Sequence, residues 1–562
     1  MTVGIIGSGP AVVTVQAALV DADTTRIDVD ALGTTELAVV IGTAGDPVFA
    51  EANERALETE TPWIAVELGG LGGIAVADAS VSCFEPGAGC YECLSGRVTA
   101  NLDRQPDPRT PETATGRFAG AIAGREAASA LAGESIGGQV ITLPYEQRRL
   151  LPLPNCVCDP GDRGELDRSD GARDVEAALA RAEQSLDDTI GIVQEVGEVE
   201  SFPVPYYLAQ SCETAGFSDA SASREAAGVD PDWNAAFMKA LGEGLERYCA
   251  GVYRGERLEH GAPESVEGAV PPSAFVCEHE PDPAEPIEWV PGEELAGGDR
   301  RLLPAEFVYH PPPEHRYHPP VTTGLGLGNS TVEALLSGLY EVIERDAMML
   351  AWHSSFEPLG LAVEDETYET MVRRADSEGY AVQTLLLTQD VDVPVVATAV
   401  TGDEWPELAF GTAADLDVTA AAESALAEAL QNWTELRGMG PEEAADAMGA
   451  IGRYASDPGP AAAFVDPETT VPASSVGPDS VPDGEAELDN VLDKLDDAGL
   501  DAYGARLTTR DVDQLGFEAV RAVVPAAQPL TFGESYFGER ATTVPGQMGF
   551  EARLDAEHHP FP

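Results

Sequence analysis

The sequence predicts a mixed α/β (α+β) fold in two units, an N-terminal unit over residues 1–195 and a larger unit over residues 201–562. The first segments alternate between β-like and helix-like, which is typical of a sheet with crossover helices. After residue 203, long segments rich in Ala and Leu alternate with short β-rich runs. Between the units, residues 159–173 are rich in Gly, Asp and Arg, which is typical of a loop. A chain of 562 residues is long enough for two or three domains.

The N-terminal unit is predicted to begin with a parallel sheet. A strand at residues 3–6 runs into a glycine turn and a helix, and a polar, proline-rich loop is predicted over residues 101–115. Further strands are predicted at Ile27–Val29, Glu36–Ile41 and Trp63–Glu67. Because strands joined by helices pair in parallel, this order predicts a parallel sheet.

The larger unit is predicted to contain strands at Val382–Leu387, Val395–Val400 and Ala519–Val524 and a helix at Ala486–Ala498. The glycine-rich stretch at residues 322–329 is predicted to be a loop that leads into a helix. Residues 455–485 are rich in Pro, Gly, Ser and Asp, which predicts a flexible linker.

The charge composition is strongly acidic. The chain has 98 Asp and Glu against 32 Lys and Arg, a net charge of −66, and the acidic residues are spread along its whole length. This predicts a halophilic protein, since concentrated salt shrinks the Debye length to about 3 Å and screens the self-repulsion. Such a surface repels nucleic acid. No apolar run reaches the ~18 residues of a membrane helix, and no basic signal-peptide flank is present, which predicts a cytoplasmic protein.

Three predicted helices carry carboxylates on otherwise apolar segments. They lie within residues 235–249, 322–353 and 420–437. Their acidic or amide side chains are Glu243 and Glu246, then Glu333, Glu341 and Glu344, then Glu423, Glu428 and Gln431. A carboxylate stripe on an apolar helix is costly to desolvate, so divalent cations are expected against it. Oxygen-only ligands suit Mg²⁺ that bridges nucleotide phosphates. Asn329 and Arg345 are expected to contact phosphate.

Simpler interpretations of the same residues remain open. Ser330 and Glu333 match a capping box, so Glu333 could serve only to cap its helix. Glu341 and Arg345 match an ordinary i,i+4 ion pair. In so acidic a chain, any single Glu can also lie on a solvated face.

The N-terminal unit contains two close cysteine pairs, Cys90-x-x-Cys93 and Cys156-x-Cys158. Each pair lies beside a predicted turn, so together they suit a structural zinc site with four sulfur ligands. Cys83 is an alternative ligand because the C-x-C spacing is tight, and buried free thiols are the simpler interpretation.

The first glycine turn, Gly7-Ser8-Gly9, resembles the start of a dinucleotide-binding fingerprint, with Asp28 or Asp30 about 20 residues later. Val12 stands where the third glycine is expected, which argues against a nicotinamide cofactor.

The three carboxylate segments, in this order, resemble the ATP-binding helices of the YcaO superfamily. The matching motifs are Glu243-x-x-Glu246-Arg247-Tyr248, then Asn329-Ser330 with Glu333 and Glu341-x-x-Glu344-Arg345, then Glu428-x-x-Gln431. The resemblance covers about residues 201–562. It implies that these carboxylates, together with Asn329, Arg345 and Gln431, bind ATP and Mg²⁺. It also implies that the enzyme phosphorylates a peptide amide oxygen. A Cys, Ser or Thr nucleophile then gives an azoline ring, and sulfide gives a thioamide.

Two departures from the family pattern stand out. Gly228-Val229-Asp230 lies where the family commonly has Gly-Lys-Gly, and Arg224 is a possible substitute for that lysine. The chain ends with Pro560-Phe561-Pro562, which keeps the last two prolines of the family's proline-rich tail. The resemblance implies that Pro560 and Pro562 act at the catalytic site; a frayed terminus is the simpler interpretation.

Residues 1–195 resemble the truncated E1/ThiF-like zinc-binding domain of azoline cyclodehydratases, on the four paired cysteines with Pro86, Gly87 and Leu94. Together, the two halves resemble the SagD-like group that makes thiazole- and oxazole-modified peptides, including bacteriocins. This implies a ribosomal precursor peptide as substrate, a leader-peptide-binding protein and a flavin dehydrogenase as partners, and a homodimer. The alternatives are thioamidation with a sulfur-delivery partner, a peptide-binding scaffold with a decayed nucleotide site, and a Rossmann-type oxidoreductase.

Overall fold

A computed structural model gives the fold of the protein and describes residues 2–102, 104, 106–107, 112–144, 146–159, 161, 165–168, 171, 175–445 and 449–562. Parts of the predicted loops over 101–115 and 159–173 lie outside these residues. Within them the chain forms a mixed α/β structure, as the sequence predicts. Among the helices of this described part, none combines the length and the apolar character that crossing a bilayer requires.

The first part of the chain forms one sheet flanked by helices. Its strands are β1 (Thr2–Ile6), β2 (Asp23–Arg26), β3 (Leu37–Thr43), β4 (Trp63–Leu68), β5 (Ala79–Phe84), β6 (Gln139–Thr142) and β7 (Glu146–Arg149). Its helices are α1 (Pro10–Ala18), α2 (Val48–Thr59), α3 (Tyr91–Ala100), α4 (Thr113–Leu131) and α5 (Val175–Ala182). In space the strands follow the order β2-β1-β3-β4-β5-β6-β7.

This sheet is mixed, so the prediction of a parallel sheet is only half right. Strands β1 to β4 pair in parallel, whereas β5, β6 and β7 pair antiparallel. The connection from β4 to β5 is too short for a parallel crossover, which needs about a dozen residues or more. The predicted strand at Ile27–Val29 is also misplaced, because the edge strand is Asp23–Arg26.

Both faces of the sheet are buried, and one face is shared with the second part of the chain. Val39 packs towards α1 and α4, while its neighbour Val40 packs in a core that continues to Leu241 and Tyr248. On the first face α1 and α4 are in close contact. A Cβ on Gly120 would lie 2.3 Å from the main-chain oxygen of Ala11, so only glycine fits there.

The second part of the chain contains the remaining elements. Its strands are β8 (Val193–Glu200), β9 (Tyr206–Ser211), β10 (Glu225–Val229), β11 (Glu259–Gly261), β12 (Ile287–Glu294), β13 (Arg300–Pro304), β14 (Leu325–Gly328), β15 (Leu359–Ala362), β16 (Ala381–Leu386), β17 (Val395–Thr401), β18 (Leu408–Ala414), β19 (Thr470–Pro472), β20 (Tyr503–Arg506) and β21 (Glu518–Val523). Its helices are α6 (Trp233–Gly251), α7 (Thr331–Trp352), α8 (Glu366–Ser377), α9 (Val418–Ala444), α10 (Ile451–Ser456), α11 (Ala462–Val465), α12 (Gly484–Asp497), α13 (Arg510–Leu515) and α14 (Arg540–Met548).

These strands form three sheets, each with one long helix against it. The sheets have the orders β10-β9-β8, β11-β12-β20-β21-β14 with β13 beside β12, and β18-β17-β16-β15-β19. Helices α6, α7 and α9 each directly follow a strand at one edge of a sheet, namely β10, β14 and β18. The predicted N-terminal unit would end at residue 195, inside β8, which pairs with β9.

Two predictions for this part need correction. The glycine-rich stretch before α7 contains the strand β14, because glycine lets the strand lie directly on the helix: a Cβ on Gly326 would be 2.0 Å from the main-chain oxygen of Ala334. Residues 455–485 are not simply a flexible linker. They contain α11 and β19, and β19 pairs with β15 in parallel.

A fully buried ion pair ties the first part to the second. Arg97 on α3 donates to the carboxylate of Asp511 on α13, and both side chains are 0% exposed. The hydroxyl of Tyr248 on α6 donates to the same carboxylate at 2.7 Å. Burial raises the pKa of Tyr248, so its hydroxyl remains a donor. Because a buried charge without its partner is costly, this contact fixes α3, α6 and α13 relative to one another.

Candidate functional site

A cleft of about 860 Å³ opens between α6, α7 and α9. Eight carboxylates line it. The described lining residues also include three positively charged side chains, those of Lys239, Arg247 and Arg345. The carboxylates are those of Glu225, Glu243, Glu246, Glu333, Glu341, Glu344, Glu428 and Glu435. This excess of negative charge makes the cleft a site for cations, or for anions that arrive with cations.

The same local arrangement occurs three times around the cleft. In each case a glutamate on the helix accepts a hydrogen bond from a main-chain N–H of the preceding strand or of the residue just before it. The pairs are Glu243 with Ala227 at 2.7 Å, Glu341 with Gly324 at 3.0 Å and Glu428 with Thr412 at 2.6 Å. A main-chain donor fixes the position of each carboxylate and favours its ionised form.

Close strand–helix packing makes this arrangement possible. A glycine in each strand lies directly on the following helix, where an added Cβ would come within about 2 Å of the helix backbone. The distances are 2.2 Å from Gly228 to the nitrogen of Ala240, 2.0 Å from Gly326 to the oxygen of Ala334 and 2.2 Å from Gly411 to the nitrogen of Ala429. The three helices are therefore seated on their strands at positions where any side chain would push them away.

The start of α7 is capped by residues that also line the cleft. Ser330 accepts a hydrogen bond from the N–H of Glu333 at 3.2 Å. Glu333 reaches back to Asn329 and accepts from its main-chain N–H at 2.7 Å and from its side-chain amide at 2.9 Å. The capping interpretation is thus correct in part, since Glu333 bonds Asn329 instead of the N-cap residue itself. Both Asn329 and Glu333 still face the cleft.

Burial weakens the acidity of the cleft carboxyls. Burial, with Glu243 and Glu341 nearby, raises the pKa of Glu246 to about 8. Burial, with Glu344 nearby, raises the pKa of Glu428 to about 8, and burial also raises the pKa of Glu344. These carboxyls cannot all stay ionised at neutral pH without added positive charge. A bound divalent cation would reverse the effect and hold them as carboxylates.

The carboxylate oxygens do not form a closed metal cage. Among the described residues, one group of three or more His, Cys, Asp or Glu ligands comes within 4.8 Å of one another, and it consists of cysteines. The cleft carboxylates are therefore spread around an open space. This suits Mg²⁺, which is usually held by one or two carboxylates together with phosphate oxygens and water.

The structure brings the predicted nucleotide and magnesium residues together. All nine line the cleft: Glu243, Glu246, Asn329, Glu333, Glu341, Glu344, Arg345, Glu428 and Gln431. Two other candidates lie elsewhere. Glu423 is not among the lining residues and interacts with Asp365. Arg224, the suggested substitute for the missing lysine, instead donates to Gln194 and to the main-chain oxygen of Ser211.

Sequence reasoning missed three charged residues on the cleft wall. Glu435 lies seven residues after Glu428, so helical periodicity could have placed it on the same face. Lys239 lies four residues before Glu243, which gives the same signal, and its ammonium pairs with Asp230 at 2.8 Å. Glu225 is on a strand, where no periodic signal marks it.

The C-terminal segment is packed rather than frayed. Phe561 is 1% exposed and lies against Trp352 and Phe410. Pro560 is buried beside it, and the main-chain oxygen of Pro562 accepts a hydrogen bond from Arg345 at 2.6 Å. Neither proline is among the residues that line the cleft, so the tail reaches the cleft through Arg345.

The four paired cysteines meet at one point. The Sγ atoms of Cys90 and Cys156 are 3.6 Å apart, those of Cys93 and Cys158 are 3.4 Å apart, and all four fall within 4.8 Å. Four thiolates around one zinc ion at about 2.3 Å lie about 3.8 Å from each other, so the arrangement fits Zn²⁺. Arg510 donates to the sulfur of Cys158 at 3.3 Å, a contact that would offset the negative charge of four thiolates.

Cys83 is not part of this cluster, so the alternative that made it a ligand is wrong. It lies on β5 in the core on the other side of the sheet, with Ala119 and Ala123 of α4. Because strand side chains alternate between the two faces, Cys83 and Phe84 point to opposite cores. Burial raises the pKa of the Cys83 thiol, which keeps it protonated.

Solved structures of heterocyclases share the fold of this chain. A heterocyclase in complex with substrate and cofactor matches with a TM-score of 0.77 at 21% identity, over 100% of this chain and 85% of that chain. The heterocyclase TruD matches with a TM-score of 0.69 at 20% identity, over 100% and 84%. YcaO from Methanopyrus kandleri, bound with AMPPCP and Mg²⁺, matches with a TM-score of 0.50 at 25% identity, over 62% and 89%. The similarity to the first two structures, at 21% and 20% identity, concerns the fold alone.

Sequence comparison identifies the family. An uncharacterized protein of Methanothermobacter thermautotrophicus is 28% identical over 323 residues, which cover 54% of this chain and 81% of that protein. A family model described as YcaO cyclodehydratase, ATP- and Mg²⁺-binding, matches residues 227–528, more than half of the chain. That span contains α6, α7 and α9 and the cleft residues on them. The chain therefore belongs to the YcaO family.

Proposed function

We propose that the protein uses ATP and Mg²⁺ to activate backbone amides of a ribosomal precursor peptide and converts Cys, Ser or Thr residues into thiazolines or oxazolines. The observation that carries this proposal is the cleft lined by eight carboxylates, inside the span that matches the family model. The likeness to heterocyclases over the whole chain supports ring formation.

The cleft offers separate groups for metal and for phosphate. Glu243, Glu246, Glu341, Glu344 and Glu428 would hold Mg²⁺, because their oxygens line the open space from three sides. The start of α7 would bind phosphate oxygens, because the positive end of the helix dipole there favours anions. Bound Mg²⁺ would neutralise the phosphates and so assist phosphoryl transfer.

The reaction removes the oxygen of a peptide carbonyl. The substrate's sulfur or oxygen nucleophile bonds to the carbonyl carbon and loses its proton. The former carbonyl oxygen takes the γ-phosphoryl group of ATP, which leaves ADP. The carbon–oxygen bond then breaks as phosphate departs, and loss of the amide proton completes the C=N bond of the ring. Without phosphorylation, this oxygen would be a poor leaving group.

Arg345 lines the cleft and also contacts the C-terminal tail. Its guanidinium lies 3.6 Å from Glu344 and 4.0 Å from Glu341, and it donates to Pro562. We propose that Pro560 and Pro562 lie on the peptide side of the site, held by the burial of Phe561, and that Arg345 bridges the nucleotide and the peptide.

We propose that residues 1–195 form a zinc-stabilised E1/ThiF-like unit that presents the peptide, and that residues 201–562 form the catalytic unit, as in the SagD-like group. A leader-peptide-binding protein and a flavin dehydrogenase are the partners that this function calls for. The charge of −66 supports work in a concentrated-salt cytoplasm, so the experiments below use molar KCl.

Glu344→Gln should weaken the binding of Mg·ATP at least tenfold, about 1.4 kcal/mol or more, because it removes a charged ligand but keeps the shape. Titration calorimetry measures the dissociation constant. Glu423→Gln, on α9 but outside the cleft lining, is the matched control and should bind as the wild type does. Equal affinity in wild type and Glu344→Gln would contradict the proposed site.

Incubation with Mg·ATP and a Cys/Ser/Thr-rich peptide encoded beside the gene tests the chemistry. Mass spectrometry should show the loss of one water for each ring formed, with one ADP released per ring. Exchange of oxygen for sulfur would favour thioamidation, and ADP release without any change in the peptide would argue against both reactions.

Mg·ATP affinity should rise with pH up to about 8 and then level off. The pKa of Glu246 and that of Glu428 are each raised to about 8, so both carboxyls are mostly protonated at pH 7 and must ionise to bind the metal. Calorimetry at pH 7 in buffers of different ionisation enthalpy should therefore report net proton release. The Glu428→Gln variant should release fewer protons when it binds Mg·ATP. An affinity that does not change with pH, with no proton release on binding, would refute the assignment of these carboxylates as ligands.

The purified protein should contain about one zinc ion per chain, by elemental analysis. Cys158→Ser should lose the zinc and lower the unfolding temperature, because it removes one of four sulfur ligands. Cys83→Ser, a change at a buried thiol outside the cluster, should keep the zinc. A Cys158→Ser variant with full zinc content would rule out this ligand set.

A further inference from the structure

We infer that Arg181, from α5 in the first part of the chain, completes the nucleotide site by holding Asn329 in place. This inference rests on the proposed function and goes beyond it. Arg181 lies outside residues 227–528, which the family model matches. The site would then be a composite of both parts of the chain, with Arg181 as a positioning residue.

The guanidinium of Arg181 is held on several sides. It donates to the side-chain oxygen of Asn329 at 2.6 Å. It also donates to the main-chain oxygens of Leu515 at 3.2 Å and Gly516 at 2.7 Å, at the end of α13. It lies 4.7 Å from the ring centre of Phe517, which lines the cleft. A planar guanidinium with this many fixed contacts is pre-organised, so it loses little conformational entropy when a ligand binds.

The contact from Arg181 decides how the side-chain amide of Asn329 is turned. Its oxygen faces Arg181, and its NH₂ group donates to Glu333 at 2.9 Å. Without the arginine, the oxygen would lose its charged donor and the amide could rotate. Asn329 stands just before the first residues of α7, where phosphate is expected. A fixed amide there would present the same group to each incoming nucleotide.

Arg181 also changes the charge at this end of the cleft. All three cations that line the cleft already have partners, since Lys239 pairs with Asp230, Arg247 pairs with Glu243 and Arg345 donates to Pro562. Arg181 adds a positive charge behind Asn329, on the side of the cleft where the helix dipole already favours anions. Both effects would help to attract phosphate into a strongly acidic cleft.

Helix α13 connects this contact to the cysteine cluster. At its first residue Arg510 donates to Cys158, and at its end the carbonyls of Leu515 and Gly516 accept from Arg181. The cluster and Arg181 therefore fix the two ends of one short helix. A part of the chain that sequence resemblance assigns to peptide presentation would thus also shape the nucleotide site.

The test compares Arg181→Met with Arg168→Met by titration of Mg·ATP into the purified full chain in molar KCl. Arg168 is a matched control: it precedes α5, and it donates to Glu293 at 2.7 Å and to the main-chain oxygen of Leu295 at 2.6 Å, away from the cleft. Arg181→Met should bind at least tenfold more weakly than the wild type, and Arg168→Met should bind within twofold of it. Arg181→Lys, which keeps the charge, should restore part of the affinity.

A double-variant cycle separates positioning from a general loss of structure. If Arg181 acts through Asn329, Arg181→Met should weaken binding much less when Asn329→Ala is already present than it does in the wild type, because only the long-range effect of its charge is then lost. Additive losses would overturn the role through Asn329. Thermal unfolding shows whether Arg181→Met is folded; if it is not, Arg181→Lys must show weakened binding at an unchanged unfolding temperature.

The possible failures are distinguishable. If the wild type itself does not bind Mg·ATP, the proposed function fails. If the wild type binds and Arg181→Met binds equally well, the proposed function stands and the role of Arg181 is overturned.

Discussion

The mutual repulsion of the eight carboxylates that line one cleft is the constraint on which the rest of the structure depends. Burial raises the pKa of Glu246 and of Glu428 to about 8, so the cleft carboxylates by themselves are poorly suited to hold their full charge. The fold limits this cost by giving four of the carboxylates a main-chain N–H donor. A nucleotide that arrives with Mg²⁺ supplies the missing positive charge.

Three strand–helix pairs keep those carboxylates in register. Each helix lies on a strand glycine, so its distance from the strand is set by backbone contact instead of by side chains that can adjust. The buried pair of Arg97 and Asp511, together with Tyr248, then fixes the back of α6 to the first part of the chain. A shift of about 1 Å at a reacting centre can lower a rate about a hundredfold, so such rigidity matters for catalysis.

Local patterns in the sequence predict much of this site, and long-range contacts account for what they miss. Helical periodicity placed Glu243 and Glu246 on one face, and the paired spacing of the cysteines predicted that they meet. Arg181 carried no signal, because it reaches Asn329 from 148 residues away in sequence. The antiparallel turn of the sheet at β5 was missed because strand direction depends on the connection and not on the strand's own residues. The edge strand was misplaced because its burial pattern is weak.

The most direct test of the central claim is the position of the metal. A crystal of the protein with Mn²⁺ in place of Mg²⁺ and a non-hydrolysable ATP analogue would show the metal by its anomalous scattering. The account predicts metal in the cleft, bound by carboxylates from at least two of the helices α6, α7 and α9 and by phosphate oxygens. Metal bound elsewhere, or a triphosphate that leaves these carboxylates without metal, would contradict it.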